Sequence, residues 1–186
     1  MHRGRVSTHM NIICPGCGYK GSIADSKTPT RRVVITCKSC KHRFPLQNVK
    51  SIGVVPSPGG REKSIAAVNL AMGYSLSGFK TLLVDSDSKG MAGTILGVAP
   101  PAGLTEFATA ELTAKQTVVK ARNRLWILAG GRSVAGLERV ALKAGGDLAL
   151  FDAILRPLET HFDYIILNGC RDFPRLLQGI INYSQE

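Results

Sequence analysis

From Val49 onward, short apolar runs alternate with longer stretches in which apolar residues recur every three or four positions. The runs are "SIGVV" (51 to 55), "TLLVDS" (81 to 86), "RLWILAG" (124 to 130) and "DYIILNG" (163 to 169). Each is short and continuous, which predicts a strand buried on both faces. After the first run, Ile65, Val68, Met72 and Leu76 fall at helical spacing, and Gly78 stands where a C-terminal cap would end that helix. Strand, helix and strand in this order predict a parallel sheet with helices on both faces. No internal repeat or low-complexity tract interrupts the pattern.

The first 48 residues carry a different signal. Four of the five cysteines lie there, as "CPGC" (Cys14, Cys17) and "CKSC" (Cys37, Cys40), with 19 residues between the pairs. Each pair is tight enough for two thiolates to grip one ion from a turn, and the spacer suits a small hairpin. That is the ligand pattern of a tetrahedral structural zinc site. Two disulfides, which a reducing compartment disfavours, or four unrelated thiols are the alternatives. His42 also stands near, but four thiolates already close such a site. Residues 10 to 46, "MNIICPGCGYKGSIADSKTPTRRVVITCKSCKHRFPL", resemble the small zinc-ribbon domain found at the N-terminus of many bacterial proteins. The expected organisation is a disordered extension (1 to 9), a small β zinc ribbon (10 to 48) and an α/β domain (49 to 186).

Charge sharpens this division. The chain of 186 residues has a net charge of +11, and residues 1 to 50 hold ten basic side chains against Asp25 alone. The positive field therefore belongs to the ribbon segment. It suits DNA or an acidic partner, or is simply a solvated basic surface. No apolar run approaches the roughly 20 residues of a membrane helix, and "MHRGRVSTHM" lacks the apolar centre of a secretory signal. No integral membrane segment and a cytoplasmic location are expected.

Candidate chemistry lies in "PSPGGREKSIAAVNLA" (56 to 71), between the first strand and its helix. Backbone N–H groups of such a loop point at the helix axis and attract phosphate. Gly59 and Gly60 let the backbone approach, Lys63 reaches outer phosphates, and the Ser64 hydroxyl can bind Mg²⁺. The two flanking glycines of the usual G-x-x-x-x-G-K-[ST] pattern are Ser57 and Glu62. One strand later, Asp85 and Asp87 end "LLVDSD" beside the loop, where two carboxylates can hold Mg²⁺ through water or stand as solvated acids.

Residues 51 to 98 resemble the opening of the ParA/MinD family of deviant P-loop ATPases: a G-G-x-G-K-[ST] loop, an A-x-N-L-A helix and a strand ending D-x-D. The likeness continues through "GLTEFATAE" and "RLWILAGG" to "HFDYIILNG". "SPGG" is also similar to bacterial tyrosine kinases of that superfamily. The resemblance implies a P-loop parallel sheet flanked by helices, here truncated, with ATP-driven homodimerisation, weak hydrolysis and stimulating partners. It implies that Lys63 meets the outer phosphates, Ser64 the Mg²⁺, Gly59 and Gly60 the cradle, that Asp87 positions the attacking water and that Asp85 supports the metal. The departures are specific. The family's signature lysine is Pro58. Glu62 adds a charge beside the phosphate position, worth about 4 kcal/mol of repulsion at about 4 Å and an intermediate dielectric. Asn168 stands for a metal-binding aspartate, and Cys170 and Arg171 replace a Pro-Pro pair. The expected function is a ParA/MinD-like ATP-binding protein with structural Zn²⁺ and, for the nucleotide, Mg²⁺, acting in partitioning, positioning or regulation with little or no turnover. The alternative is a zinc-ribbon interaction or nucleic-acid-binding regulator whose P-loop domain is only a scaffold. Cys170 is expected as a buried strand-end thiol, Trp126 in the core, and "LLQGII" (176 to 181) as a helix covering the sheet.

Overall fold

The computed structural model describes residues 9–24, 34–45, 49–56, 62–100, 102–130, 134–143 and 150–184. Of the extension expected over 1 to 9, residues 1 to 8 lie outside the described residues, and His9 opens the first strand. The chain divides into two compact units, Met1–Asn48 and Val49–Glu186.

In the first unit, β1 (His9–Ile13) pairs antiparallel with β2 (Lys20–Ala24), and β3 (Val34–Thr36) with β4 (Arg43–Pro45). A Cys-x-x-Cys turn closes each hairpin in the same way. Gly18 N–H donates to the Cys14 carbonyl at 2.9 Å, and Lys41 N–H to the Cys37 carbonyl at 3.1 Å. Both donors sit in the left-handed region, at φ 70° for Gly18 and 61° for Lys41. Glycine adopts that conformation freely and lysine does not. Cys14, Cys37 and Phe44 form the small core, with Ile12 and Ile35 packed against it.

The second unit contains β5 (Lys50–Val54), α1 (Lys63–Leu76), β6 (Thr81–Asp85), α2 (Met91–Leu96), α3 (Leu104–Ala108), α4 (Ala114–Thr117), β7 (Val118–Arg122), β8 (Leu125–Leu128), α5 (Val134–Lys143), α6 (Leu150–Glu159), β9 (Tyr164–Asn168) and α7 (Pro174–Tyr183). The sheet order is β5-β9-β6-β8-β7. The first four strands are parallel, while β7 runs antiparallel to β8 at the edge. The parallel sheet read from the apolar runs is therefore the body of a mixed one.

Strand alternation divides the core between two faces. Leu82, Val84, Ile165 and Leu167 meet Leu137, Phe151, Leu155, Leu176 and Ile180 on one side. Leu83, Ile127 and Ile166 meet Ala67, Val68, Ala71, Ala92 and Leu96 on the other. Residues 176 to 181 thus cover the sheet, and Trp126 packs half-buried against the core, edge-on to Phe162.

Helix α1 buries a different stripe from the one its large apolar residues suggest. Its inward residues are Ser64, Ala67, Val68, Ala71 and Ser75, whereas Ile65 is 50% and Leu76 82% exposed. Small side chains let the helix axis lie close to the strands, so the narrow face wins over the bulky one. The helix stops as expected: Ser77 N–H reaches the Gly73 carbonyl, and Gly78 takes φ 93° just beyond it.

Candidate functional site

Two clusters of chemistry-bearing residues emerge, one in each unit. In the ribbon, Cys14, Cys17, Cys37 and Cys40 bring their Sγ atoms within 4.8 Å of one another. Cys14 and Cys40 approach to 3.6 Å, and Cys17 and Cys37 to 3.7 Å. These separations are far too long for an S–S bond. They match the edges of a tetrahedron with Zn–S arms of about 2.3 Å, which are about 3.8 Å long. The four thiols are thus free of disulfides and arranged as a structural zinc site requires. The environments of the four thiols are inequivalent. The backbone N–H of Cys40, aided by that of Ser39 and by the neighbouring thiols, lowers Cys37 to about 6 against the pull of burial. At Cys40 the backbone N–H of His42 acts downward, but the other thiols and burial prevail and push it up to about 12. Cys14, Cys17, Cys37 and Cys40 would hold a divalent cation as four thiolates.

The second cluster stands at the carboxyl end of the parallel strands. Register sets it: Asn168, the last residue of β9, lies level with Val54 on one side and Asp85 on the other. The chain leaves β5 toward the loop before α1, and leaves β6 toward α2. Ser57, Pro58, Gly59 and Gly60 lie outside the described residues. Glu62 is exposed in a helical conformation (φ −76°) just before α1. Its carboxylate is therefore screened by water, and the 4 kcal/mol expected for a close contact shrinks several-fold.

Lys63 and Ser64 open α1 and point inward. Lys63 Nζ donates to Asn168 Oδ1 at 2.9 Å and pairs with Asp87 Oδ2 at 3.5 Å, the two charged side chains being 10% and 17% exposed. Asn168 Nδ2 donates to Asp85 Oδ1 at 2.7 Å and to Ser64 Oγ at 3.1 Å. Asp85 is fully buried and also accepts the backbone N–H of Asp87 (3.0 Å) and of Ala92 (3.1 Å). Burial raises its carboxyl above the usual range, while these donors from Asp87, Asn168 and Ala92 oppose the rise. Asp87 Oδ1 accepts the Lys89 N–H at 2.9 Å. Lys63, Ser64, Asp85 and Asp87 are thus gathered in one corner, with Asn168 at their centre.

Three contributors escape a linear reading of the sequence. Asn168 reads as a lost charge, yet it bonds to three of the four other members. The Ala92 amide at the start of α2 is silent in the sequence because any residue but proline supplies it. Gly130, just past β8, has a visible signal in "AGG" after a strand. A Cβ there would stand 2.6 Å from the Asp85 carbonyl oxygen and 2.7 Å from that of Asp87, so only glycine fits. Cys170 is buried nearby, and burial pushes its thiol up, away from nucleophile chemistry.

Comparison with known proteins agrees with this architecture. Residues 10–45 match the zinc-ribbon domain family, and residues 49–184 match an AAA domain family of ParA/MinD-like proteins. The tyrosine-protein kinase CpsD of Streptococcus pneumoniae is 30% identical over 124 residues, covering 64% of this chain and 52% of that protein. CpsD of Streptococcus agalactiae is 25% identical, over 68% of this chain and 54% of its own. The chain spans about half the length of these curated relatives. Among solved structures, the ATP complex of McdA from Cyanothece superposes with a TM-score of 0.67 at 21% identity, covering 74% of this chain and 54% of McdA. Cobyrinic acid a,c-diamide synthase from Mycobacterium smegmatis, with an ATP analogue and magnesium bound, gives 0.67 at 21%, covering 73% and 55%. A plasmid partition protein from Borrelia burgdorferi gives 0.62 at 21%, covering 73% and 62%. Among the described residues, no helix is long and apolar enough to cross a membrane. With the corner at the carboxyl ends of β6 and β9 and the cysteine cluster of the ribbon, the chain belongs to the ParA/MinD-type P-loop ATPases and carries a zinc ribbon ahead of that domain.

Proposed function

We propose that this protein binds a nucleotide through its phosphates, turns it over slowly if at all, and serves partitioning, positioning or regulation. The observation that carries this reading is the convergence of Lys63, Ser64, Asp85 and Asp87 at the carboxyl end of the sheet, beside the N-terminus of α1. A helix N-terminus attracts phosphate, and the largely buried Lys63 adds a positive charge at the same corner, beside Asp85 and Asp87. In this reading Lys63 contacts the outer phosphates, Gly59 and Gly60 supply backbone donors, and Asp87 orients water. The relatives carry diverse names, a kinase, a synthase and partition proteins, so only the phosphate chemistry of these residues is carried over. A nucleotide-linked homodimer belongs to the same proposal.

A fluorescent ATP-analogue titration tests it directly. Micromolar binding that collapses in Lys63→Ala is expected; binding no tighter than millimolar, and indifferent to that substitution, would sink it. The second reading, a scaffold beneath a zinc-ribbon interaction module, draws on one feature: Asn168 already satisfies both Lys63 and Ser64. The titration separates the two. The ribbon's exposed Lys20, Lys38, Lys41 and Arg43 make DNA or an acidic protein the proposed partner of that module. Retention on DNA should weaken steeply with salt. Salt-independent retention would contradict an electrostatic origin.

A further inference from the structure

The orientation of the Asn168 side chain is dictated by its neighbours. A lysine ammonium only donates and an aspartate carboxylate only accepts. The amide oxygen must therefore face Lys63 (2.9 Å) and the amide nitrogen Asp85 (2.7 Å). Turning the group over would set N–H against ammonium and oxygen against carboxylate. Once the nitrogen faces Asp85, its second N–H falls on Ser64 Oγ at 3.1 Å.

Those two acceptors are the oxygens that a magnesium ion would take at this corner. Mg²⁺ demands oxygen donors in near-octahedral arrangement at about 2.1 Å. Here the Ser64 hydroxyl and the near oxygen of Asp85 are both capped by N–H groups bearing positive partial charge. The far oxygen of Asp85 holds the Ala92 amide, and Asp87 is divided between Lys89 N–H and Lys63. Each of these oxygens keeps at most one free lone pair, beside N–H groups of positive partial charge, so the donor set fits the ion poorly. A carboxylate at position 168 would behave oppositely, offering oxygens to the lysine and the metal together.

We propose that Asn168 weakens divalent-metal binding at this corner, so that nucleotide affinity draws on Lys63 and gains little from Mg²⁺. The inference rests on the nucleotide reading above and deepens it. With the cation weakly held, the charge on the leaving group is poorly neutralised and bound nucleotide turns over slowly.

The test is titration of the full chain with a fluorescent ATP analogue, once in EDTA and once in millimolar Mg²⁺. Wild-type affinity is expected to be equal or weaker in Mg²⁺. Asn168→Asp is expected to reverse this, gaining about tenfold in affinity on adding Mg²⁺. Wild-type binding tightened about tenfold by Mg²⁺ overturns the inference while leaving the nucleotide reading intact. Absence of wild-type binding in both conditions removes the nucleotide reading and this inference with it. Should the aspartate variant not fold, the two wild-type titrations decide alone.

Discussion

Replacing Lys63 by methionine keeps the length and most of the volume of the side chain and removes only its charge and donors. The ion pair with Asp87 at 3.5 Å, between side chains 10% and 17% exposed, is worth about 5 kcal/mol in gross Coulomb energy at an effective dielectric of 20. Much of that is offset by the cost of drying the lysine, which methionine does not incur. What stays uncompensated is Asp87 without its cation and Asn168 Oδ1 without its donor. A net destabilisation of about 2 to 3 kcal/mol follows, or roughly 5 to 10 °C in the melting temperature of a domain this size. The single tryptophan, Trp126, lies on β8 in the same unit, so its fluorescence reports this domain apart from the ribbon. Nucleotide affinity should fall about a hundredfold with the loss of one charge-assisted contact to phosphate. If Lys63→Met melts and binds like the wild type, the lysine is not held as described and the electrostatic account of the corner is wrong.

Three further outcomes are expected. Metal analysis should find about one zinc per chain, and chelation should abolish ordered structure in residues 10 to 46; a ribbon that stays ordered without metal would contradict the cysteine geometry. Lys41→Gly should strengthen the ribbon by about 1 kcal/mol, because Gly18 already holds the equivalent left-handed position in the other hairpin; slower metal loss to a chelator is the readout, and unchanged loss counts against backbone strain there. Tyr183 donates to Glu159 Oε1 at 2.9 Å, and burial with the facing Glu159 charge raises its phenol. Stability from that proton is present below the unfolded value of about 10 and is lost as pH rises above it. Tyr183→Phe should cost about 1 to 2 kcal/mol near neutrality and flatten the alkaline loss, measured by urea unfolding; an unaltered alkaline slope would refute the assignment.

Much of this fold is legible in the sequence because its signals are local. Four apolar runs mark four parallel strands, and two Cys-x-x-Cys turns mark the ribbon. Strand β7 escapes notice because "VVKAR" has no run to announce it and is defined by its pairing with β8. The inward face of α1 is misjudged because the bulkiest residues, Ile65 and Leu76, look like core, whereas the sheet selects the alanines. At the site, Lys63, Ser64, Asp85 and Asp87 stand out as residue types in a familiar order. The hub joining them does not, because Asn168 lies 105 residues from Lys63, and only the placing of β9 between β5 and β6 brings them together. A side chain that reads as a subtraction along the chain becomes, in space, the element that organises its neighbours.

The tight seat of Gly130 has a mechanical consequence. With the carbonyl oxygens of Asp85 and Asp87 standing where a Cβ would need room, the end of β8 and the acidic segment pack backbone against backbone. A methyl group at position 130 would have to push that segment off the strand end, moving Asp85 and Asp87 together. The seating of both acidic residues against β8 is therefore set by a residue that has no side chain at all.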